Sequence, residues 1–378
     1  MKKILFGSLL TLLLLLTALL VVLHLQFRHA EPYPDLNGAP LLPASALQAV
    51  VRSERPIGNA AVSASGRIFY TIHPESQPDY PKLLEWVDGQ AVPFPAAEQQ
   101  SELFDAPLGL VVDDRNRLWL IDPATHGVGR ATLVAFDLDS NEMVHRYQFS
   151  REVAPVGSFL QDLQVSSDGR WIYIADVGFW PMRPALVVYD SETGRAHRLL
   201  ERHPSVMPQD YLIRTAIRDM RFIGGLVNMK TGVDGIALSL DDQWLYYGAM
   251  NHETLYRVPT AALKDDSLDD AMVAGQIEAV GRKPLNDGLS IDKQNGVYLT
   301  DVENQSVMYL SRAGVLSTII QSPQIRWADG LSYGPDGWLY LADSAIPHLI
   351  LSTPGHIRAQ APYYVWRFKA PTGGRPGQ

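Results

Sequence analysis

The sequence predicts an all-β fold: a six-bladed β-propeller, ring closed by an N-terminal strand, preceded by one N-terminal hydrophobic helix. The main observation is a short segment, two strands around a turn, that recurs six times along the 378 residues. Self-similarity with a period of roughly 40–50 residues is typical of propellers and solenoids. The copies lie at residues 59–71, 108–122, 161–176, 233–247, 286–300 and 328–343.

Each copy supplies two strands of a blade, and the residues that follow it supply the outer ones. Apolar and polar residues alternate along these segments, which is typical of strands in stacked sheets. The predicted strands are 60–62, 68–71, 83–87 and 91–94 in blade 1; 110–112, 118–121, 132–137 and 143–149 in blade 2; 163–165, 171–175, 185–189 and 196–200 in blade 3; 236–238, 244–247, 254–258 and 276–280 in blade 4; 289–291, 297–300, 307–310 and 315–320 in blade 5; and 331–333, 338–342 and 364–368 in blade 6.

Ring closure follows from a second observation. Residues 47–52 (LQAVVR) form a strand without a nearby partner, while blade 6 lacks its outermost strand. Pairing the two covers an exposed sheet edge and joins the ends of the ring. We therefore expect the propeller to span residues 46–370 and residues 371–378 to form a disordered tail.

The N-terminus carries an apolar run, residues 4–25, behind Lys2 and Lys3. The run is long enough to span a bilayer, and no small-x-small cleavage site follows it. Within residues 1–28 these features favour an uncleaved signal anchor over a cleaved signal peptide. The lysines keep the N-terminus in the cytoplasm. The body is then extracytoplasmic, periplasmic or secreted, and attached to the membrane through this helix, with residues 29–45 as a linker.

Composition narrows the classes of function. Hydrophobic residues make up 46% of the chain and charged residues 19%, which is ordinary for a globular protein with a large core. The net charge of −9 argues against a nucleic-acid partner. The absence of cysteine excludes disulfides, cysteine–zinc sites and cysteine nucleophiles. We expect a monomer.

Acidic residues recur at one rim of the predicted ring. The first strand of a blade starts at the same rim where its second strand ends. Second strands end on Asp122, Asp176, Asp301 and Asp343, and first strands start with Asp162, Asp234, Asn286, Asp287 and Asp329. Converging oxygen ligands suit a hard cation such as calcium. The alternative is structural, because aspartates at strand ends also cap turns.

Two further residues are candidates for contacts with a ligand. Residues 201–232 form a long connection on the same rim, and its cations, Arg218 among them, could contact an anionic ligand or only neutralise the acidic rim. His126 follows Asp122 at this rim, although a lone loop histidine is more often a packing or surface residue. The sequence contains no HExxH or GxGxxG motif. Asp168, by contrast, lies in a turn at the opposite rim.

Three segments resemble the major royal jelly protein/Yellow family in a prokaryotic-type version. They are LVVDDRNRLWLIDPATHG, ALVVYDSETGRAHRLLERHPSVMP and VDGIALSLDDQWLYYGAMNHETLYRVPTAAL, and the likeness extends over about residues 109–368. The resemblance implies a six-bladed propeller, secretion, and a small-ligand site at the mouth of the channel. It does not identify the ligand.

The chain is also distantly similar to calcium lactonases of the gluconolactonase/regucalcin type. That resemblance implies Asp234, Asn286 and Asp329 as metal ligands and Asp287 as the base that activates water. The chain departs from the pattern at Asn59, since the lactonases have a glutamate in the first inner strand. Two hypotheses therefore stand: a protein that binds a small organic ligand, and a calcium-dependent hydrolase or an isomerase acting on a small cyclic substrate.

Overall fold

Six four-stranded antiparallel sheets stand around one central channel, which confirms the predicted propeller. The computed structural model describes the backbone of residues 2–378 and the side chains of residue 8 and residues 10–378. In each blade the first strand lies at the channel and the fourth lies at the periphery. We call the rim where the first strands begin the mouth, and the rim with the first hairpins the far rim.

The strand bounds follow the repeat closely. They are Ile57–Val62, Ile68–Ile72, Leu83–Val87 and Gln90–Pro93 in blade 1; Leu110–Val112, Arg117–Asp122, Thr132–Asp137 and Met143–Gln148 in blade 2; Leu160–Val165, Trp171–Asp176, Ala185–Asp190 and Arg195–Leu199 in blade 3; Val233–Leu238, Trp244–Ala249, Thr254–Pro259 and Glu278–Arg282 in blade 4; Leu289–Ile291, Val297–Asp301, Ser306–Leu310 and Leu316–Gln321 in blade 5; and Ala328–Tyr333, Trp338–Asp343, Tyr363–Lys369 and Gln48–Ser53 in blade 6.

The N-terminal strand closes the ring as the sequence predicts. Gln48–Ser53 pairs antiparallel with Tyr363–Lys369 and completes blade 6. Val51 lies opposite Val365 in this pair. Val51 is fully buried and packs in a hydrophobic cluster that joins blade 6 to blade 1. Both ends of the ring are thereby held in one sheet.

Helices and short strands lie mainly in the connections. The α-helices are Lys2–Phe27, Ala97–Leu103, Ala124–Gly127, Thr260–Lys264, Asp270–Ala274 and Pro354–Ala359. The 3₁₀ turns are Ala44–Ala46, Pro74–Ser76, Ile223–Gly225, Pro335–Gly337 and Ile346–His348. The short strands are Glu31–Pro32, Tyr211–Leu212, Arg221–Phe222 and Val227–Asn228. Within Lys2–Phe27, residues Leu10–Phe27 are apolar enough and long enough to cross a membrane.

The segment between the helix and the ring packs against the propeller. Glu31–Pro32 pairs parallel with Tyr211–Leu212, and Tyr33 is 2% exposed. The Tyr33 hydroxyl donates a hydrogen bond of 2.8 Å to the carbonyl oxygen of Lys283. Residues 29–45 therefore hold the helix close to the body.

The last residues are ordered, so the expectation of a disordered tail at residues 371–378 is wrong. The Tyr333 N–H donates to the Gln378 carbonyl oxygen at 2.7 Å, and the Val112 N–H donates to that of Gly377 at 3.0 Å. The Gln378 amide also donates to the carbonyl oxygen of Val165 at 3.3 Å. The first strands of blades leave backbone groups unpaired towards the channel, and this glycine-rich segment satisfies some of them at the far rim.

We expect Val51→Ala to lower the free energy of unfolding by about 2 kcal/mol, because it removes two buried carbon atoms and leaves a cavity at the ring closure. Arg52→Ala on the same strand is the control. Its side chain is exposed, so the change should stay within about 0.5 kcal/mol. Urea denaturation of both variants measures the difference, and equal stabilities would contradict a structural role for the closing strand.

Candidate functional site

The acidic side chains reach the channel through irregular strand starts. The register shifts in the first pairing of blades 1, 3, 4 and 6, where residues 58–59, 161–162, 234–235 and 329–330 lie between the paired positions. A bulge of this kind bends the strand and changes the direction of its side chains. It explains why the same position in several blades faces the axis.

The glycine of the recurring Asp-Gly pair permits neighbouring blades to approach at the axis. A Cβ atom at Gly235 would lie 2.3 Å from the carbonyl oxygen of Asp287. One at Gly288 would lie 2.0 Å from that of Asp329. Neither distance is possible for a real side chain, so only glycine allows the strands to stack here. This contact brings the aspartates of adjacent blades together.

Four carboxyls form an acidic cluster at the axis: Asp162, Asp234, Asp287 and Asp329. Asp287 accepts more side-chain hydrogen bonds than the other three. Its side chain accepts a hydrogen bond of 2.7 Å from the Trp327 indole N–H and one of 3.4 Å from the Gln161 amide. It is 1% exposed. Burial raises the pKa of Asp287 to about 7, against the effect of the indole hydrogen bond, which lowers it. Asp287 is therefore poised to gain or lose a proton near neutral pH.

Asp234 lies beside Asp287 and forms a pair with it. Neither carboxyl oxygen of Asp234 accepts a hydrogen bond from a donor group in the described part of the chain. Burial, and then the charge of Asp287, raises the pKa of Asp234 well above its usual range. Two adjacent carboxylates can bond to each other only when one is protonated. The pair is consequently stable with a shared proton or with a bound cation.

Asp162 extends the cluster towards blade 1. It accepts a hydrogen bond of 3.1 Å from the Asn59 side-chain amide. Although Asp162 keeps partial exposure to the channel, the protein around it displaces most of the water. This burial, with the charge of Asp287, raises the pKa of Asp162 to about 8. Asn59 thus contributes a neutral hydrogen-bond donor to the acidic group.

Asp329 completes the cluster on the side of blade 6. Its Oδ2 lies 3.9 Å from the Nε2 of His73. Burial lowers the pKa of His73 to about 4, so the imidazole is neutral at neutral pH. Its Nδ1 accepts a hydrogen bond of 3.1 Å from the Glu75 N–H, which assigns the proton to Nε2. Burial, with the charges of Asp287 and Asp162, raises the pKa of Asp329 well above its usual range.

Lys283 is a fully buried amine near the acidic group. Its Nζ donates a hydrogen bond of 3.1 Å to the carbonyl oxygen of Pro284. Burial lowers its pKa to about 7, while the charges of Asp234 and Asp301 oppose the shift. No ion pair joins Lys283 to an acidic side chain among the described residues; it is His73 that lies 3.9 Å from a carboxyl of the group, that of Asp329. Lys283 therefore offsets the acidic charge only in part.

The aspartates that end the second strands have a different role. Asp122 accepts hydrogen bonds from the N–H groups of Asp105, Ala106 and Ala124. Asp343 accepts hydrogen bonds from the N–H groups of the loop that begins its blade. These carboxylates fasten the loops of the mouth to the strands. The structural alternative, in which an aspartate caps a turn, therefore applies to this set. By contrast, neither carboxyl oxygen of Asp234 accepts a hydrogen bond from a backbone N–H group among the described residues.

The predicted metal ligands provide oxygens but no closed coordination group. The side-chain oxygen of Asn286 and the Oδ2 of Asp329 are buried without a hydrogen-bond donor in the described residues. In the same part of the chain, no three His, Cys, Asp or Glu side chains form a group that could hold a metal ion. The metal-ligand set Asp234, Asn286 and Asp329 remains a prediction. It needs the side-chain amide oxygen of Asn286 as its third ligand.

A small cavity lies above the Asp234–Asp287 pair. Its volume is about 40 Å³, and His73, Gln161 and Met229 are among its walls. A larger apolar recess of about 310 Å³ lies next to it. The recess is lined by Leu23, Phe27, Phe179, Trp180, Met229 and Ile350, of which the last two and Phe179 also line the small cavity. The acidic pair thus lies below an apolar entrance.

His126 lies on the rim of this entrance, away from the acidic pair. Its Nε2 lies 2.6 Å from the Oε1 of Glu75, and its ring stacks on Phe159 with centroids 4.8 Å apart. Arg218 donates a hydrogen bond of 2.8 Å to the carbonyl oxygen of Ile350 and packs over Phe222. Both residues hold the walls of the entrance in place, and their contact with a ligand remains a prediction.

Residues 201–232 cover the mouth as a packed lid. Ile213, Met220 and Met229 are buried in one cluster with residues of blades 4 and 5. Thr231 and Met229 face the small cavity. The cation of Lys230 pairs with Asp210 within the lid and does not neutralise the acidic group. Beside the lid, the small cavity adjoins the recess next to the N-terminal helix and a second recess of about 330 Å³ that shares Glu75 and Phe159 with the cavity.

Several residues of the site were missed by sequence reasoning. No recurring motif marks three of them: His73, Lys283 and Trp327. Only the folded ring brings these side chains to the carboxylates. Gln161, adjacent to Asp162, was visible as a polar residue at an inner-strand start. The repeat alignment was the one signal that could have selected it.

Comparison with known proteins assigns the sequence to a family. The sequence model described as "Major royal jelly protein" matches residues 106–321. Major royal jelly protein 9 of Apis mellifera is 26% identical over 168 residues, which cover 40% of this chain and 36% of that protein. The chain therefore matches little more than a third of the length of this relative.

Solved structures with the same fold cover most of the chain. A luciferin-regenerating enzyme has a TM-score of 0.56 at 10% identity, covering 88% of this chain and 97% of its own. A gluconolactonase from Xanthomonas campestris has a TM-score of 0.53 at 15% identity, and the match covers 86% of this chain and 89% of that protein. The calcium-binding protein regucalcin from Agrobacterium tumefaciens has a TM-score of 0.51 at 15% identity, and the match covers 89% of this chain and 98% of that protein. These likenesses show the propeller fold alone.

The raised carboxyl pKa values predict a pH-dependent stability. A carboxyl with a folded-state pKa above the unfolded value of about 4 stabilises the fold below that value, and the contribution is lost as pH rises through the folded pKa. For Asp287 and Asp162, with pKa values of about 7 and about 8, the loss falls between about pH 4 and pH 8. We expect Asp287→Asn to gain in Tm relative to the native protein across this range.

The matched control is Asp168→Asn in a far-rim turn. Hydrogen bonds from Ser166 and Arg170 hold the pKa of Asp168 below its usual value despite partial burial, so it stays ionised throughout this range. Its Tm difference from the native protein should not change with pH. Parallel Tm profiles for the native protein and Asp287→Asn would contradict the raised pKa.

Proposed function

Because the chain belongs to the major royal jelly protein family, we propose that it is an extracytoplasmic propeller that binds a small organic ligand at the acidic mouth of its central channel. The observation that supports this most is the Asp234–Asp287 pair. Both side chains are at most 1% exposed, and they line a cavity below an apolar entrance. Sites for small molecules combine a concave apolar lining with a few convergent polar groups.

The charges of the site favour a ligand with a positively charged group. Four carboxyls gather at the axis, and Lys283 is the buried amine that lies near them. Their raised pKa values measure the cost of ionising neighbouring acids in a buried site. A ligand ammonium group would replace the shared proton of the pair and remove that cost. The recess of about 310 Å³ would hold the apolar part of the same ligand.

Titration calorimetry with tyramine, a small aromatic amine, tests the proposal. We expect heat of binding with the native protein and a loss of affinity of at least about tenfold in Asp287→Asn, since a buried charge-assisted contact contributes roughly 1.5–3 kcal/mol. Asp168→Asn should bind as the native protein does. Equal loss in both variants, or no binding of aliphatic and aromatic amines to the native protein, would refute the amine-binding role.

The alternative function is that of a calcium-dependent lactonase. The unpaired oxygens of Asp234, Asn286 and Asp329 favour it, because calcium takes carboxylate and amide oxygens. There the metal would polarise the lactone carbonyl and Asp287 would activate water. Titration with calcium chloride in the same calorimeter distinguishes the two. Calcium binding that Asn286→Ala abolishes, together with hydrolysis of gluconolactone, would favour the enzyme over the amine-binding protein.

We also propose that the N-terminal helix is retained as a signal anchor. The helix is apolar over Leu10–Phe27, and Phe27 is 7% exposed because it packs on the body. The Asn228 amide donates hydrogen bonds to the carbonyl oxygens of Phe27 and Arg28 at 2.8 and 3.0 Å. A cleaved signal peptide would not need these contacts.

The anchor predicts that the protein sediments with membranes and stays there after extraction with alkaline carbonate, because a spanning apolar helix is not released by pH or salt. Fractionation followed by immunoblotting measures this. N-terminal sequencing of the product is the control. A soluble protein whose first residue lies between residues 25 and 40 would show that the helix is a cleaved signal peptide.

A further inference from the structure

The last two turns of the N-terminal helix contact the propeller. Leu23 and Phe27 line the apolar recess, and the His24 Nδ1 lies 3.1 Å from the carbonyl oxygen of Leu226 in the lid. Side chains of residues 10–19 are exposed. The helix therefore projects from the mouth, and over residues 10–19 the protein leaves its apolar surface uncovered.

The helix leaves no spacer between a bilayer and the mouth. The apolar run of residues 4–25 has 22 residues. At 1.5 Å per residue it is about 33 Å long, enough to cross a hydrocarbon layer of about 30 Å. Phe27 lies two residues beyond this run and is itself packed in the mouth. A helix that crosses the bilayer therefore brings the mouth to the level of the lipid headgroups.

The loops of the mouth expose apolar side chains at that level. They are Val128, Val156, Trp180, Ile223, Leu226 and Leu351, all in connections at the rim where the helix emerges. Trp180 and Tyr80, the exposed aromatic side chains among the large hydrophobic residues described, are both on this rim. Aromatic rings of this kind are enriched at the interface between membrane and water.

The far rim shares one feature with the mouth, since it also exposes aliphatic side chains, Val87, Val144 and Val315 among them. It differs from the mouth in two other respects. It exposes no aromatic side chain to the same degree in the described part of the chain, and the apolar helix emerges from the opposite rim. Exposed charges of both signs lie on the mouth side, among them Arg28, Arg130, Asp105 and Glu152, so the net charge does not distinguish this rim.

We propose that the mouth rim is a membrane-contact surface, on which the propeller lies against the bilayer that its helix enters. The inference rests on the membrane anchoring proposed above and not on the identity of the ligand. The apolar recess between Leu23 and Trp180 then opens at the lipid interface. A ligand reaches the channel from the lipid side, with its apolar part entering the recess beside the helix.

Site-directed labelling tests this surface in the full-length protein, which contains no cysteine of its own. Val156→Cys and Leu351→Cys place a fluorescent label on the mouth rim, and Val315→Cys places one on the far rim. The three side chains are 65%, 77% and 63% exposed, so labelling should not disturb the fold. Each labelled protein is reconstituted in phosphatidylcholine vesicles with and without nitroxide-labelled phosphatidylcholine.

We expect the nitroxide lipid to quench most of the fluorescence at positions 156 and 351 and little of it at position 315. Aqueous iodide should quench position 315 and spare the other two. Equal iodide quenching at all three positions in membrane-bound protein would overturn the inference and leave the anchor intact. Failure of carbonate-washed vesicles to retain the protein would refute the anchor instead. Tyramine titration of the same variants reports separately on the binding function.

Discussion

Closure of the ring by the N-terminal strand is the contact on which the other features depend. Gln48–Ser53 completes blade 6, and its Val51 fills the interface between the last blade and the first. Six sheets can keep a common axis only if the circle is shut, since an open ring would expose an edge and let the blades separate. The same pairing places Gln48 at the far rim, and the segment before it runs back along the propeller to the mouth, where the pairing of Glu31–Pro32 with Tyr211–Leu212 holds the helix.

The closed ring forces acidic strand starts together at the axis. Gly235 and Gly288 let the backbones of adjacent blades approach, and the aspartate before each glycine then faces its neighbour. Such an arrangement lowers stability at neutral pH, because buried like charges repel and lose hydration. The Trp327 and Gln161 donors offset only part of this cost at Asp287. A loss of stability that is retained at a cavity is typical of a site selected for function.

The N-terminal helix and the acidic pair lie on one face of the molecule. Leu23 and Phe27 belong to the helix and at the same time form a wall of the recess above the acidic pair. The position of the helix and the shape of the recess are thus coupled by geometry. A change in how the helix seats against Asn228 would alter the entrance without touching Asp234 or Asp287.

The sequence by itself determined the blades, the closing strand and the acidic strand starts, because a repeated alternation is local information that each copy carries independently. It also identified Asp234 and Asp287 as channel residues. Only the tertiary structure decided that these two form a pair, that Lys283 lies near them, and that residues 371–378 are ordered. Those facts depend on contacts between residues far apart in the chain, which exist only once six blades have closed around one axis.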